Sequence, residues 1–329
     1  MASKTQWASE IAKGTKVDSL FLVFQKEMRA FRNKPGNYLQ LKLGDKTGTL
    51  RAKCWDDAEE LNKLIEEGDV LKVRGTADVY QNNVELTLSL KDIQKISSEN
   101  ISAEDFLPRT TKDVEKMFSE LLALASSFKN AHLRALLLSF LENKEFAREF
   151  KRAPAAKVHH HSYIGGLLEH TYSVVELCKT LCIQYPELDR ELLLTGALLH
   201  DVGKLREYSF TTRVDYTAEG GLAGHLVLGA HMLNKQFETL PNFPEELKLK
   251  LYHLILSHHE KEEWGSPVRP RFSEACALHH ADLFDSHVKQ FLQIEHEETE
   301  KTPANVTWST FRRELERYLY IKKGEESEE

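Results

Sequence analysis

Residues Thr195 to Leu205 read TGALLHDVGKL. An apolar stretch ends on His200-Asp201, and Val202-Gly203-Lys204 follow at once. An ordinary helix can finish on polar residues and a glycine stop. An imidazole, a carboxylate and an ammonium set together at the end of a hydrophobic segment also have the makings of a metal site that acts on phosphate. The remainder of the chain decides between these two accounts.

Around this stretch the pattern is helical. From Asp113 almost to the C-terminus, apolar residues recur at three- and four-residue steps, the signature of amphipathic helices. The segments are VEKMFSELLALASSF, NAHLRALLLSFLENKEFAREF, LLEHTYSVVELCKTLCIQY, RELLLTGALLHDV, LVLGAHMLNKQFETL, EELKLKLYHLILSHH and EACALHHADLFDSHVKQFLQIEHE. Pro154, Pro186, Pro241, Pro244 and Pro267 fall between them. The tail KKGEESEE is expected to fray.

The front of the chain differs. VDSLFLVFQKEMRAF reads as a first strand, and GNYLQLKLGDKTGTLRAKCW alternates about a Gly-Asp-Lys-Thr-Gly turn as a hairpin does. DDAEELNKLIEEGD has helical spacing with acids in its first turn. VLKVRGTADVYQNNVELTLSLKDIQKI is another alternating pair, broken at Gln-Asn-Asn. Three strands, a short helix and two strands is the layout of an OB-fold, a small barrel used for oligonucleotides and oligosaccharides. The expected class is multidomain α+β: an OB-fold barrel over residues 1–97, a polar linker over 98–112, and an all-α domain over 113–329.

Bulk properties agree. The chain has 329 residues, 41% hydrophobic and 29% charged, enough for two domains and a large core. No apolar run is long enough to cross a bilayer, and MASKTQWASE lacks the apolar centre of a signal peptide, so the expected location is the cytoplasm. Cys54, Cys178, Cys182 and Cys276 form no CxxC pair and read as buried thiols. Net charge is −7, but it is uneven. Residues 1–97 hold 16 Lys+Arg against 14 Asp+Glu, and the remainder 28 against 37. The front tolerates a polyanion and the rear tolerates cations.

Within the helical part stand His170, His200-Asp201, His225, His258-His259 and Asp282. Neutral imidazole and carboxylate suit borderline divalent ions, and helices of a bundle can converge such groups on one interior point. Taken singly, each is as well explained as a hydrogen-bonded core residue or a solvated one. His132, His253, His279, His287 and His296 are assigned such ordinary roles.

The order of these residues resembles the HD-domain superfamily of metal-dependent phosphohydrolases. PAAKVHHHSYIGGLLEHTYSV (Pro154 to Val174), LLHDVGKLREY, GHLVLGAH and SHHE are more specific. Together they are similar to the YhaM family of 3′→5′ exoribonucleases, which join an OB-fold to an HD domain. That resemblance implies a ligand set. His170, His200, Asp201 and Asp282 would hold one metal, and Asp201 would bridge to a second held by His225 and His258. Lys204 would contact a substrate phosphate, and His160 and His161 would line the catalytic site. His259 stays open between a ligand and a supporting group. One departure is SHHE, where glycine is expected after the histidines and this chain has Glu260.

The implied reaction is hydrolysis of the last phosphodiester at a 3′ end by a metal-bound hydroxide, releasing nucleoside 5′-monophosphates. Mn²⁺ is the metal that the resemblance implies; the donor types also admit Fe²⁺, Co²⁺, Ni²⁺ or Zn²⁺. The partner is single-stranded RNA, with DNA open. Phe31, Tyr38, Trp55 and Tyr80 are candidate stacking platforms, and Arg29, Arg32, Lys34, Arg51, Lys53 and Arg74 candidate phosphate contacts. Strand aromatics often belong to the core, and Trp55 must point opposite to Cys54. Two alternatives are a hydrolase of small nucleotides or cyclic dinucleotides, and a nucleic-acid-binding protein with an inactive HD site. Self-association into a homo-oligomer is compatible with either.

Overall fold

The structure is a computed structural model. It describes residues 4–31, 33–80, 83–97, 101–157, 163–210, 212–301, 307–313 and 315–321. His160, His161 and the tail from residue 322 lie outside the described residues.

The chain forms two units. The first holds residues 1–109 together with 209–215, and the second holds 110–208 and 216–329. In the first, β1 (Lys16–Ala30), β2 (Asn37–Asp45), β3 (Gly48–Cys54), β4 (Val70–Tyr80) and β5 (Asn83–Thr87) close a barrel. β1 pairs antiparallel with both β2 and β4, while β3 meets β5 in parallel. This closure leaves no open edge between first and last strand, and it is OB-fold topology. Alternate residues point inward as strand geometry requires. Leu39, Leu41 and Leu43 on β2 and Leu50, Ala52 and Cys54 on β3 fill the interior. α1 (Ala58–Leu64) adds Leu61, and Ile65 follows it into the same core.

Two details of the barrel depart from the sequence expectation. The last alternating run breaks at a 3-10 turn, Leu90–Asp92, and continues as a sixth strand, β6 (Ile93–Ile96), paired with β4. Residues read as linker also carry structure. Ala103–Asp105 is a 3-10 turn, and Phe106 behind it is buried against Leu20, Leu22 and Val70.

The second unit is helical: α2 (Val114–Ser126), α3 (Ala131–Leu141), α4 (Lys144–Phe150), α5 (Gly166–Gln184), α6 (Arg190–Leu199), α7 (Lys204–Glu207), α8 (Ala218–Thr239), α9 (Glu245–Ser257) and α10 (Ser273–Lys301). Side-chain caps explain several starts: Asp113, Asn130 and Asp189 each accept a backbone N–H of the following turn. The segment from Asn130 to Phe150 is two helices, because Asn143 turns its side chain onto the backbone N–H groups of Glu145 and Phe146 and starts a new one. α6 is buried along its whole length from Leu192 to Leu199, so it forms the centre on which α5, α9 and α10 pack.

The chain after residue 113 is not purely helical. β7 (Tyr208–Phe210) and β8 (Val214–Tyr216) form a hairpin, and Trp308–Tyr320 and Arg312–Arg317 are bridged near the C-terminus. Three-residue strands are too short for an alternating pattern to register in sequence. Among the described residues no helix is long and apolar enough to cross a membrane.

Candidate metal centre

Five helices and one short connection bring the histidines and acids together. His170 lies in the first turns of α5 and His200 caps the C-terminus of α6. Asp201 follows directly. His258 ends α9 and Asp282 lies on α10. His225 depends on a kink. Gly224 within α8 has φ 71° and ψ 157°, outside helical geometry, and glycine takes a positive φ without a Cβ penalty. The break leaves the backbone N–H of His225 free to donate to Glu207 Oε1 at 3.0 Å.

The side chains are buried: His170, His200, Asp201, His258 and Asp282 are each at most 6% exposed. His170, His200 and Asp201 form one group of potential donors, and Asp201, His225, His258 and His259 another. Asp201 belongs to both. Its Oδ2 lies 3.4 Å from Nε2 of His170 and of His200, and its Oδ1 lies 3.5 Å from His225 Nε2 and 3.6 Å from His258 Nε2. Asp282 Oδ1 is 3.1 Å from His170 Nε2, and its Oδ2 is 3.6 Å from His259 Nδ1.

The outward nitrogens fix the orientation of the rings. His200 Nδ1 donates to the Ala197 carbonyl at 2.9 Å, and His258 Nδ1 to the Ile255 carbonyl at 2.8 Å. A carbonyl only accepts, so Nδ1 of each ring carries a proton and Nε2 points inward. His170 Nδ1 faces Asp285 Oδ2 at 2.8 Å, and His225 Nδ1 faces Glu207 Oε1 at 3.1 Å. This arrangement of a carboxylate behind a histidine is the usual support of a metal ligand.

The buried acids favour positive charge at the centre of the group. Burial raises the cost of charge on Asp201 and Asp282, yet Lys204 and His200 beside the one, and His170 beside the other, hold both well below the usual carboxylate range. Burial also works against a proton on His170, but hydrogen bonds to Asp282 and Asp285 bring it up to about 9. Burial and the neighbouring His258 push His259 down to about 2, leaving it a neutral donor. Two nitrogen pairs stand face to face, His170 Nε2 with His200 Nε2 at 3.2 Å and His225 Nε2 with His259 Nε2 at 3.0 Å. Each pair needs a proton or a cation between its lone pairs. Among the described residues, Asp201 Oδ1 and His258 Nε2 are buried without a hydrogen-bond partner, a costly state unless an ion takes them up. The donor set therefore fits a divalent cation of the borderline class.

Sequence reasoning missed several supports. Asp285 and Glu207 are two. His279 is a third: its Nδ1 donates to the His258 carbonyl at 2.7 Å, and its Nε2 is 3.3 Å from Glu260 Oε2. His287 lines the mouth of the site with Lys204. Glu260 has φ 63°, in the left-handed region that favours glycine, which accounts for glycine being the expected residue there. Lys204 donates to Asp201 Oδ2 at 2.6 Å and is 8% exposed.

On the barrel, Cys54 is fully buried and Trp55 is 39% exposed. Trp55 meets Tyr38 at 4.8 Å and Phe31 at 6.0 Å between ring centroids. Lys53 Nζ lies 4.9 Å from the centroid of Tyr80, which is also exposed. Arg51 of β3 stands opposite Lys42 of β2, in a groove of about 610 Å³ with Arg29 and Gln40. Arg74 stands apart from these rings, paired with Asp18 of β1 at 3.3 Å.

A family model described as an HD domain matches residues 167–286, and one described as an OB-fold nucleic acid binding domain matches residues 23–96. HD domains depend on divalent metal, in accord with the donor groups found here. The chain is 35% identical to the 3′-5′ exoribonuclease YhaM of Bacillus subtilis over 274 residues, 83% of this chain and 85% of that protein. To the YhaM of Listeria innocua it is 33% identical over 270 residues, 81% and 84% of the two chains. Identity of about a third is sustained over more than four-fifths of both partners: the chain belongs to the YhaM family.

Proposed function

We propose that this protein is a metal-dependent 3′-5′ exoribonuclease that shortens single-stranded RNA to nucleoside 5′-monophosphates. The observation that carries the proposal is Asp201, whose two oxygens face two separate groups of histidine donors. The named activity of its YhaM relatives supports it.

The ligands would be His170, His200, Asp201 and Asp282 on one side, and Asp201, His225, His258 and His259 on the other. A pair of divalent cations held there, Mn²⁺ in the reading preferred here, would neutralise the scissile phosphate and make a water acidic enough to attack near neutral pH. The protein's own part is orientation. Carbonyls and carboxylates behind the histidines lock their tautomers, and the surrounding apolar core keeps bulk water away. Lys204 holds its charge in spite of burial because Asp201 faces it, so it adds a cation beside the substrate phosphate. His160 and His161 are proposed to line the same site.

The barrel supplies a grip on polymer. Phe31, Tyr38 and Trp55, with Tyr80, offer π-faces on one side of the barrel, as single-strand binders do, and Arg51 adds a phosphate contact; Lys53 beneath Tyr80 is held by Glu85 at 2.8 Å. A hydrolase of small nucleotides has no need of such a surface. The enzyme would act on cytoplasmic RNA.

The test is incubation of 5′-labelled RNA and DNA strands with Mn²⁺ and resolution of products over time. A ladder that shortens from the 3′ end, faster for RNA, is expected. Cleavage only of free nucleotides would replace the proposal with a small-molecule phosphohydrolase.

A further inference from the structure

At the mouth of the metal centre is a pocket of about 330 Å³. Lys204, His258, His259 and Asp282 lie on it, so it opens onto the donor groups directly. α10 contributes Ser286 and Gln290, one and two helical turns beyond Asp282 and thus on the same face of that helix. Trp264, 42% exposed, lines it too, as do His279, Leu283 and His287.

Trp264 is held there by a tight turn. It closes the 3-10 turn Glu262–Trp264, five residues after His259. The turn is fastened by bonds from Lys261 N to the His259 carbonyl at 2.7 Å and from Trp264 N to the Lys261 carbonyl at 3.0 Å. Glu260 at its start faces His279, the residue bonded to the His258 carbonyl. The indole is therefore tied through a short stretch of backbone to the metal donors. Lys261 Nζ lies 4.2 Å from its ring centroid, so a cation accompanies the ring. An exposed indole contributes little to a core.

An exonuclease that removes one nucleotide at a time must hold the terminal nucleotide on the product side of the scissile phosphate. The only handles there are a base and a ribose. Pockets for small ligands start at roughly 300 Å³, so this one takes a single nucleotide and not a stack. The geometry points to a terminal-nucleotide subsite in which Trp264 stacks on the 3′-terminal base while Ser286 and Gln290 meet the ribose hydroxyls. This rests on the exoribonuclease reading and names the group that the site grips. Stacking accepts every base, so the subsite fits a nuclease without sequence preference.

The test is binding of the product by the full-length chain, with activity as a separate readout. Titration with AMP and UMP, followed by equilibrium dialysis, should show both binding in the presence of Mn²⁺, with ribose 5-phosphate binding far more weakly. Trp264→Ala should weaken nucleotide binding by roughly ten-fold, the scale of one base–aromatic stack, and raise the KM for short RNA. Trp264→Phe should restore most of the loss. Equal binding of ribose 5-phosphate and AMP, or nucleotide binding unchanged in Trp264→Ala, would overturn the subsite even if wild-type protein shortens RNA. Failure of wild type to shorten RNA would remove the exonuclease reading, and the dialysis of AMP and UMP would still decide whether Trp264 binds a base.

Discussion

Asp201 Oδ1 and His258 Nε2 face each other at 3.6 Å in the interior of the helical unit, and neither has a hydrogen-bond partner among the described residues. At that distance they do not bond to each other. Two orphaned polar atoms of complementary donor type, aimed at one point, are what an ion-free metal centre presents. Asp201→Asn should therefore lower Mn²⁺ bound per chain, measured by elemental analysis after dialysis, and abolish RNA hydrolysis. Full turnover in this variant would end the case for metal catalysis at this site.

The carboxylates behind the histidines make a graded prediction. Glu207→Gln and Asp285→Asn preserve shape but weaken the pull on His225 Nδ1 and His170 Nδ1. Loss of such support costs roughly ten- to a hundred-fold in metal affinity. Calorimetric titration of metal-stripped protein with Mn²⁺ reads this directly. Unaltered affinity would mean that the two acids only fill space.

Gly203 explains why a glycine stands in HDVGK. A Cβ at this position would lie 1.9 Å from the His225 carbonyl oxygen and 2.6 Å from the Gly229 nitrogen. Gly203→Ala must push α7 away from α8, and overpacking of this kind costs about 1–3 kcal/mol or more. The urea midpoint should fall, and His225 should shift with it, so Mn²⁺ affinity should fall too. A stable variant with normal metal binding would contradict the close approach.

Glu169 sets part of the acid limit of stability. Burial would raise its carboxyl, but hydrogen bonds from Lys289, Thr110 and Tyr163 bring it down to about 2 from an ordinary 4.5. A folded value below the unfolded one contributes stability that is complete above 4.5 and is lost as pH falls toward 2. Glu169→Gln should lower stability at neutral pH and flatten its decline across that acid window. The comparison is of urea midpoints at neutral pH and at about pH 3. Parallel declines in wild type and variant would assign the acid limit to other carboxyls.

On the barrel, Trp55→Ala should raise the KM for long single strands more than for dinucleotides, by the order of ~1–3 kcal/mol that one stacked base contributes. Arg51→Ala should reduce the salt slope of binding by about one. Arg74→Ala should leave that slope alone, since Asp18 already takes up its charge. Identical behaviour of the two arginine variants would refute the assignment of the binding face to the β2–β3 side.

Much of this protein was legible before any coordinate. Periods of two and of three to four residues separate a barrel from a helical domain, because strand and helix impose those spacings on whatever they bury. The histidines and aspartates that the structure brings together were legible as candidates because HDVGK and its companion blocks are local in sequence. Supporting residues were not. Glu207 and Asp285 become partners of His225 and His170 only when α7 meets α8 and α5 meets α10, and no local pattern records a contact between chain segments 18 or 115 residues apart.

The sequence by itself determined which chemistries were available: imidazoles, carboxylates, a lysine after the aspartate, aromatics on alternating strands. Tertiary structure decided which of them meet. It turned Trp55 outward and Cys54 inward, set Arg74 against Asp18, and drew His259 and His279 into the centre. It also placed Trp264 at the mouth. The physical reason is that side-chain identity is a local property, whereas burial and distance depend on how separate elements pack, and only packing brings residues distant in the chain within bonding reach.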